Sequence, residues 1–119
     1  MTTVFKIFHG RVDLRGTRWQ ATWPYGREEL IIQRQAGRWL YGERNLHFQP
    51  ARYYKFRGEL VGNVMVAYGV ASDGNMNIGT VLLRFVGDGS KMEGMTLRIN
   101  PEDGKLYNSG EKNEWKRIK

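Results

Sequence analysis

The stretch RYYKFRGELVGNVMVAYGVASDGNMNIGTVLLRFVGDGSKMEGMTLRI, residues 52–99, decides the fold. It reads as four consecutive strands separated by three turns. Val61-Gly62-Asn63 and Gly87-Asp88-Gly89-Ser90 are short, whereas the middle connection, Ala71 to Asn77, is longer and carries Asp73-Gly74-Asn75. Gly and Asn supply the positive φ angles that tight hairpins require, so each cluster has a mechanism for turning. Between the turns, apolar residues alternate or run at strand length: Tyr54 and Phe56; Val64, Val66 and Tyr68; Val81, Leu83 and Phe85; Met95, Leu97 and Ile99. The expectation is a small antiparallel β domain.

Upstream, the pattern continues. Thr17, Trp19, Ala21 and Trp23 share one face of a strand over Gly16 to Trp23, because successive side chains of a strand point to opposite sides. Trp19 is expected in the core, plugging one end of the sheet, and Trp23, nearer the strand end, is placed to meet a ligand. Pro24-Tyr25-Gly26-Arg27 breaks this strand. Glu28 to Gln35 and Arg38 to Glu43, joined at Ala36-Gly37, form a hairpin, and Arg44 to Ala51 is a longer connection. Downstream, Asn100-Pro101-Glu102-Asp103-Gly104 is a turn, and Lys105 to Lys119 holds one final strand, at Leu106-Tyr107 or around Trp115 to Ile118. Val4 to Val12 fits a first strand or a short helical lead-in equally well, within residues 1–13.

Counting from Gly16 gives about eight strands, most joined by short turns. Antiparallel strands in this number close into an up-and-down barrel, which removes exposed sheet edges; a small β-sandwich is the alternative. The fold class is therefore all-β, in a single domain spanning residues 1–119. In a meander, alternate turns lie at opposite ends. One end collects the tight turns at Ala36-Gly37, Val61 to Asn63 and Gly87 to Ser90. The other collects the longer connections, and long loops on a rigid scaffold are where binding concentrates. With Trp23, that end gathers Tyr25, Arg27, Arg44, His47, Tyr53, Asn75, Asn77 and Tyr107 as candidate ligand-binding residues.

Composition narrows the chemistry. The 119 residues suffice for one core that buries roughly two thirds of the unfolded surface. There is no Cys, which excludes a disulfide scaffold, a thiolate metal site and a cysteine nucleophile. No apolar run is long enough for a membrane-spanning helix, and the first ten residues are too polar for a signal peptide, so a cytoplasmic location is expected. The net charge of +7 favours anionic partners: nucleotides, nucleic acid, acidic lipid or an acidic protein. A solvated surface that merely favours Lys and Arg is the other explanation, since only Lys112 to Lys119 forms a basic cluster.

The Trp-rich first strand, the Gly-closed hairpin, and the run from Tyr54-Lys55-Phe56-Arg57-Gly58 through Gly79-Thr80-Val81-Leu82-Leu83 to Met92-Glu93-Gly94 resemble calycin-like barrels, the class of lipocalins, fatty-acid-binding proteins and avidins. The nearer likeness, over most of Leu14 to Ile118, is to the soluble eight-stranded barrel of the two-transmembrane β-barrel effectors of bacterial cyclic-oligonucleotide antiphage defence (CBASS). That resemblance implies a sensor: the barrel binds a cyclic nucleotide and drives association of attached membrane segments. This chain has no such helices, so it would be an isolated sensory domain, the soluble part of a membrane-anchored protein, or a relative with another output. Homo-oligomerisation on ligand binding is part of the same implication. No individual ligand residue is carried over.

The residues allow a nucleotide independently. Phosphate is met by Arg or Lys, and a base by an aromatic or guanidinium plane. Catalysis is not expected. His9 and His47 stand in no triad or metal spacing, and Glu28-Glu29 point to opposite faces of their strand. No cofactor or metal is implied. A carrier of an apolar ligand would need an empty interior, which Trp19, Trp39, Tyr54, Phe56 and Phe85 are expected to fill. Single-stranded nucleic-acid binding and a protein-interaction module are the remaining alternatives.

Overall fold

The structure, a computed structural model, describes residues 7–8, 11–24, 26–47, 51–71, 78–99, 103–108 and 112–119. Its strands are β1 (Ile7–Phe8), β2 (Arg11–Val12), β3 (Arg18–Trp23), β4 (Gly26–Ala36), β5 (Trp39–His47), β6 (Arg52–Val61), β7 (Val64–Ala71), β8 (Ile78–Val86), β9 (Lys91–Ile99), β10 (Leu106–Asn108) and β11 (Asn113–Arg117). Among the described residues there is no helix, and so none long and apolar enough to cross a membrane. Of the lead-in, the described residues are strand: Ile7–Phe8 and Arg11–Val12 pair antiparallel as a small separate sheet.

Each strand from β3 to β9 pairs antiparallel with the next, and β11 pairs with both β9 and β3, so the sheet closes into an eight-stranded barrel. This excludes the sandwich. Both candidate positions for the last strand are occupied. Leu106↔Ile99 to Asn108↔Leu97 place β10 on one half of the β9 edge, and Asn113↔Gly94 to Lys116↔Lys91 place β11 on the other half. The paired numbers sum to two more in the second half, so the returning chain carries two extra residues between them.

The antiparallel order sets the two ends. The turns after β4, β6 and β8 leave one end, and Gly62 sits there at φ +62° in the turn joining β6 to β7, where its missing Cβ removes the steric objection. Residues 13–17 close that same end. Leu14 N–H donates to Gln35 Oε1 at 2.7 Å, the Thr17 hydroxyl donates to the Leu14 carbonyl at 2.7 Å, and Trp19 Nε1–H donates to Thr17 Oγ1 at 3.0 Å. Trp19 is fully buried and meets Phe85 edge-to-face with centroids 5.8 Å apart. Leu14, Ile32, Leu40, Met65, Leu83 and Met92 pack around this pair. Trp19 therefore plugs the barrel, as its position in the sequence suggests.

The apolar alternation in β7 and β9 selects the outer wall instead of the core. Met65, Ala67 and Gly69 face inward from β7, whereas Val66, Tyr68 and Val70 are exposed; from β9, Met92 and Thr96 are buried while Met95 and Leu97 are exposed. Trp39 also belongs outside. Leu40 beside it is fully buried, and Trp39 is 47% exposed, so the expectation that it fills the interior is corrected. Inward positions of a narrow barrel demand small residues where the backbone turns sharply, and this frees large residues for the outside. A Cβ on Gly42 would collide with the Ile31 carbonyl and the Phe56 ring, and one on Gly94 with the Leu82 carbonyl.

Two predictions follow from this packing. Gly94→Ala must push the β8 backbone aside and lowers stability by about 1–3 kcal/mol, measured by urea denaturation; wild-type stability in that variant would refute the close approach. On the outer wall, hydrogen bonds from Lys112 and Arg84 hold the Glu93 carboxyl below its ordinary value of 4.5. Because the folded value is depressed, the cluster's contribution is complete above pH 4.5 and is lost as pH falls through the lower folded value. A carboxyl-detected NMR titration is expected to show a low Glu93 midpoint that rises in Lys112→Ala.

Candidate ligand-binding mouth

The opposite end receives the two-residue connection between β3 and β4 and the longer ones between β5 and β6, β7 and β8, and β9 and β10. Toward it the barrel's lining changes character. Apart from the hydrogen-bonded Thr17, the described closed half is apolar, but the inner positions nearer the mouth include Glu28, Arg44, Thr96 and Asn113, all buried. The hydrophobic effect cannot account for charges placed there, and a buried polar group is tolerated only when hydrogen-bonded.

These groups are bonded in pairs. Leu30 opposes Arg44 in the β4–β5 register, so Glu28 and Arg44 are diagonal neighbours on the inner face. Arg44 donates from Nε at 2.9 Å and from Nη2 at 2.6 Å, both to Glu28 Oε2. The guanidinium also lies over the Trp115 ring, with Cζ 5.9 Å from the centroid. Asn113 Nδ2–H donates to Thr96 Oγ1 at 2.9 Å and ties β11 to β9. The buried Trp115 Nε1–H finds no acceptor among the described residues. The layer thus combines two satisfied pairs with one unsatisfied donor beside a guanidinium.

The sequence-derived candidates divide between two surfaces. Trp23 points inward, half-buried against the core. Arg44 points inward too, but its charge is already engaged by Glu28, so it is not a free phosphate contact on the rim. Arg27 and His47 are opposed in register on the outer side of the rim, with Tyr53, 55% exposed, across from Asn45 on the adjoining pair of strands. Tyr107 lies in β10 opposite Arg98. Tyr25, Asn75 and Asn77 lie outside the described residues. The described candidates therefore share one end of the barrel but not one pocket.

Glu28, Thr96, Asn113 and Trp115 were not singled out as site residues from the sequence. One signal was available for Glu28: the alternation that sends Glu29 outward, where it accepts a 2.6 Å bond from Arg18, sends Glu28 into the barrel. Thr96 and Asn113 left no such mark, because β9 reads as apolar at Met95, Leu97 and Ile99.

The buried pair gives a sharp expectation. Removing one partner strands the other charge, so Arg44→Met alone costs about 3–5 kcal/mol, while Glu28→Leu with Arg44→Met recovers most of that loss. A double-mutant cycle by chemical denaturation measures both. Additive losses would show that the two residues are not coupled.

No protein-family model matches this chain, no curated protein matches it, and no solved structure matches it.

Proposed function

We propose that this protein is a non-catalytic binding barrel that takes a small anionic ligand at its mouth, and that the ligand is a cyclic oligonucleotide of the kind used in bacterial antiphage signalling. The observation that carries the reading is the change of the inner wall from apolar at the closed end to Glu28, Arg44, Thr96 and Asn113 toward the end of the longer connections. Small-molecule sites take this form, an apolar scaffold with a few convergent polar groups.

The surrounding chemistry favours an anion over an apolar cargo. The net charge is +7, and Arg27 and His47 stand together on the rim. An apolar carrier would meet a closed half filled by Trp19, Phe85, Leu83 and Met92. The choice of a cyclic oligonucleotide within the anionic class comes from the resemblance to the cyclic-oligonucleotide effectors, whose output would be self-association of the liganded barrel.

The test is a thermal-shift panel of cyclic di- and trinucleotides, linear dinucleotides and fatty acids, followed by calorimetry on any hit. A ligand present at a hundred times its dissociation constant stabilises by about 2.7 kcal/mol, which raises the melting point of a domain this size by several degrees. One cyclic nucleotide is expected to give that shift, and Arg27→Ala is expected to weaken it about tenfold or more without changing the melting point of the free protein. A panel in which only fatty acids shift the melting point, or in which nothing does, would overturn the reading.

A further inference from the structure

The outer wall of β5, β6 and β7 carries a second constellation, near the closed end and separate from the mouth. Paired registers place Tyr41 opposite Arg57 and Arg57 opposite Tyr68, so the three side chains form a row across three strands. Trp39, Glu59 and Val66 form the next row. Between the rows runs a groove of about 600 Å3, whose lining includes Trp39, Tyr41, Arg57, Glu59, Val66 and Tyr68. Trp39 and Tyr68 expose nearly half their surface, 47% and 45%.

One cation, Arg57, lines this groove, and further cations flank it. The Arg34 and Arg57 guanidiniums lie 5.2 Å and 5.8 Å from the Tyr41 ring centroid, and the Arg38 guanidinium lies 5.1 Å from that of Trp39. A β-bulge makes the first of these contacts. The β4–β5 register slips between Ile32 and Arg34, so the extra residue Gln33 shifts Arg34 opposite Tyr41 on the outer face. Lys55 lies in the adjoining row of β6, opposite Glu43. Of the two carboxylates nearby, Glu59 is engaged by Arg38 at 3.3 Å. Four cations thus face two carboxylates.

We infer that this groove binds single-stranded nucleic acid. Every base has a π-face, so exposed Trp39 and Tyr68 can stack bases without reading sequence, while Arg57, between Tyr41 and Tyr68, meets phosphate or stacks in turn. The aromatic side chains of Tyr41 and Tyr68, two strands apart, stand about 10 Å apart on a rigid wall, which keeps the platforms preorganised. Duplex nucleic acid holds its bases stacked on one another and offers no free faces. A second copy of the chain fits less well: a two-fold contact lays the patch against itself and brings Arg57 and its neighbours toward like charges.

The test titrates the intact protein with 12-nucleotide oligo-dT, 12-nucleotide oligo-U and a 12-base-pair duplex, each end-labelled, at low and moderate salt. Anisotropy reports binding, and tryptophan fluorescence reports stacking on Trp39. Single strands are expected to bind more tightly than duplex and to quench the emission, with affinity falling as salt rises. Trp39→Ala and Tyr68→Ala are expected to weaken binding about tenfold each while leaving the melting temperature unchanged, because both side chains project from the outer wall. Arg57→Gln is expected to weaken binding and to reduce the salt slope by about one. Lys116→Gln removes a charge from β11, across the barrel, and is expected to stay within about twofold of wild type. Equal affinity for duplex, unchanged affinity in both aromatic variants, or absence of binding at low salt would overturn the inference. So would a concentration-dependent dimer in sedimentation that Tyr68→Ala dissociates.

Discussion

A sheet becomes a barrel only if its first and last strands meet, and here that meeting is the pairing of β11 with β3. The seam is short. Its register covers Lys116↔Gln20 and Arg117↔Trp19, extended by Arg18 N–H to the Lys119 carbonyl at 3.1 Å and Ile118 N–H to the Arg18 carbonyl at 2.8 Å. The other strand pairs of the barrel are longer, up to nine matched positions between β4 and β5. Everything else depends on this junction: without it, β3 and β11 would present open edges, and Trp19 and Trp115, on the two sides of the seam, would lose their enclosure. The same junction explains the two-residue slip in the returning chain. β10 follows one half of the β9 edge, and the slip sets β11 in register to reach both β9 and β3.

Closure also fixes the chemical polarity of the molecule. The tight turns and the Leu14–Thr17–Trp19 hydrogen-bond chain seal one end, so apolar packing dominates there. At the other end, the inner wall can hold a buried ion pair because Glu28 and Arg44 satisfy each other and Trp115 supplies a π-face. Such a pair adds little net stability against an apolar replacement of equal volume. Its retention in so small an interior is the physical reason to look to the mouth for a ligand and not to the sealed end.

Much of the fold was legible because turns and strand lengths are local properties. The clusters at Gly37, Gly62 and Gly87 mark the tight end, and the alternation of Thr17, Trp19 and Ala21 marks a buried face. What the chain did not disclose is which face of β7 and β9 points inward, whereas in β8 the alternation of Val81, Leu83 and Phe85 marks the buried face directly. Both faces of β7 carry apolar residues, so periodicity identifies a strand without orienting it, and the smaller residues Ala67 and Gly69 won the interior over Val66 and Tyr68. Trp39 was misplaced for the same reason: hydrophobicity alone assigned it inward, but its phase along β5 is set by Leu40. The site was less legible still. Arg44 and Arg27 look alike as letters, and only the pairing of strands shows that one is neutralised inside the barrel and the other stands on its rim.

Gly42 and Gly94 constrain the sequence more tightly than the rest of the core. At most inward positions, evolution can exchange one apolar residue for another, provided that volume is kept across the core. At these two it cannot, because what fills the space beside the Cα is the backbone of the neighbouring strand, at the Ile31 and Leu82 carbonyls. Drift therefore erases the aliphatic pattern of such a barrel faster than it erases these two glycines. A search for distant kin would do better to weight their spacing, with a strand-length segment on either side, than to weight the more conspicuous tryptophans.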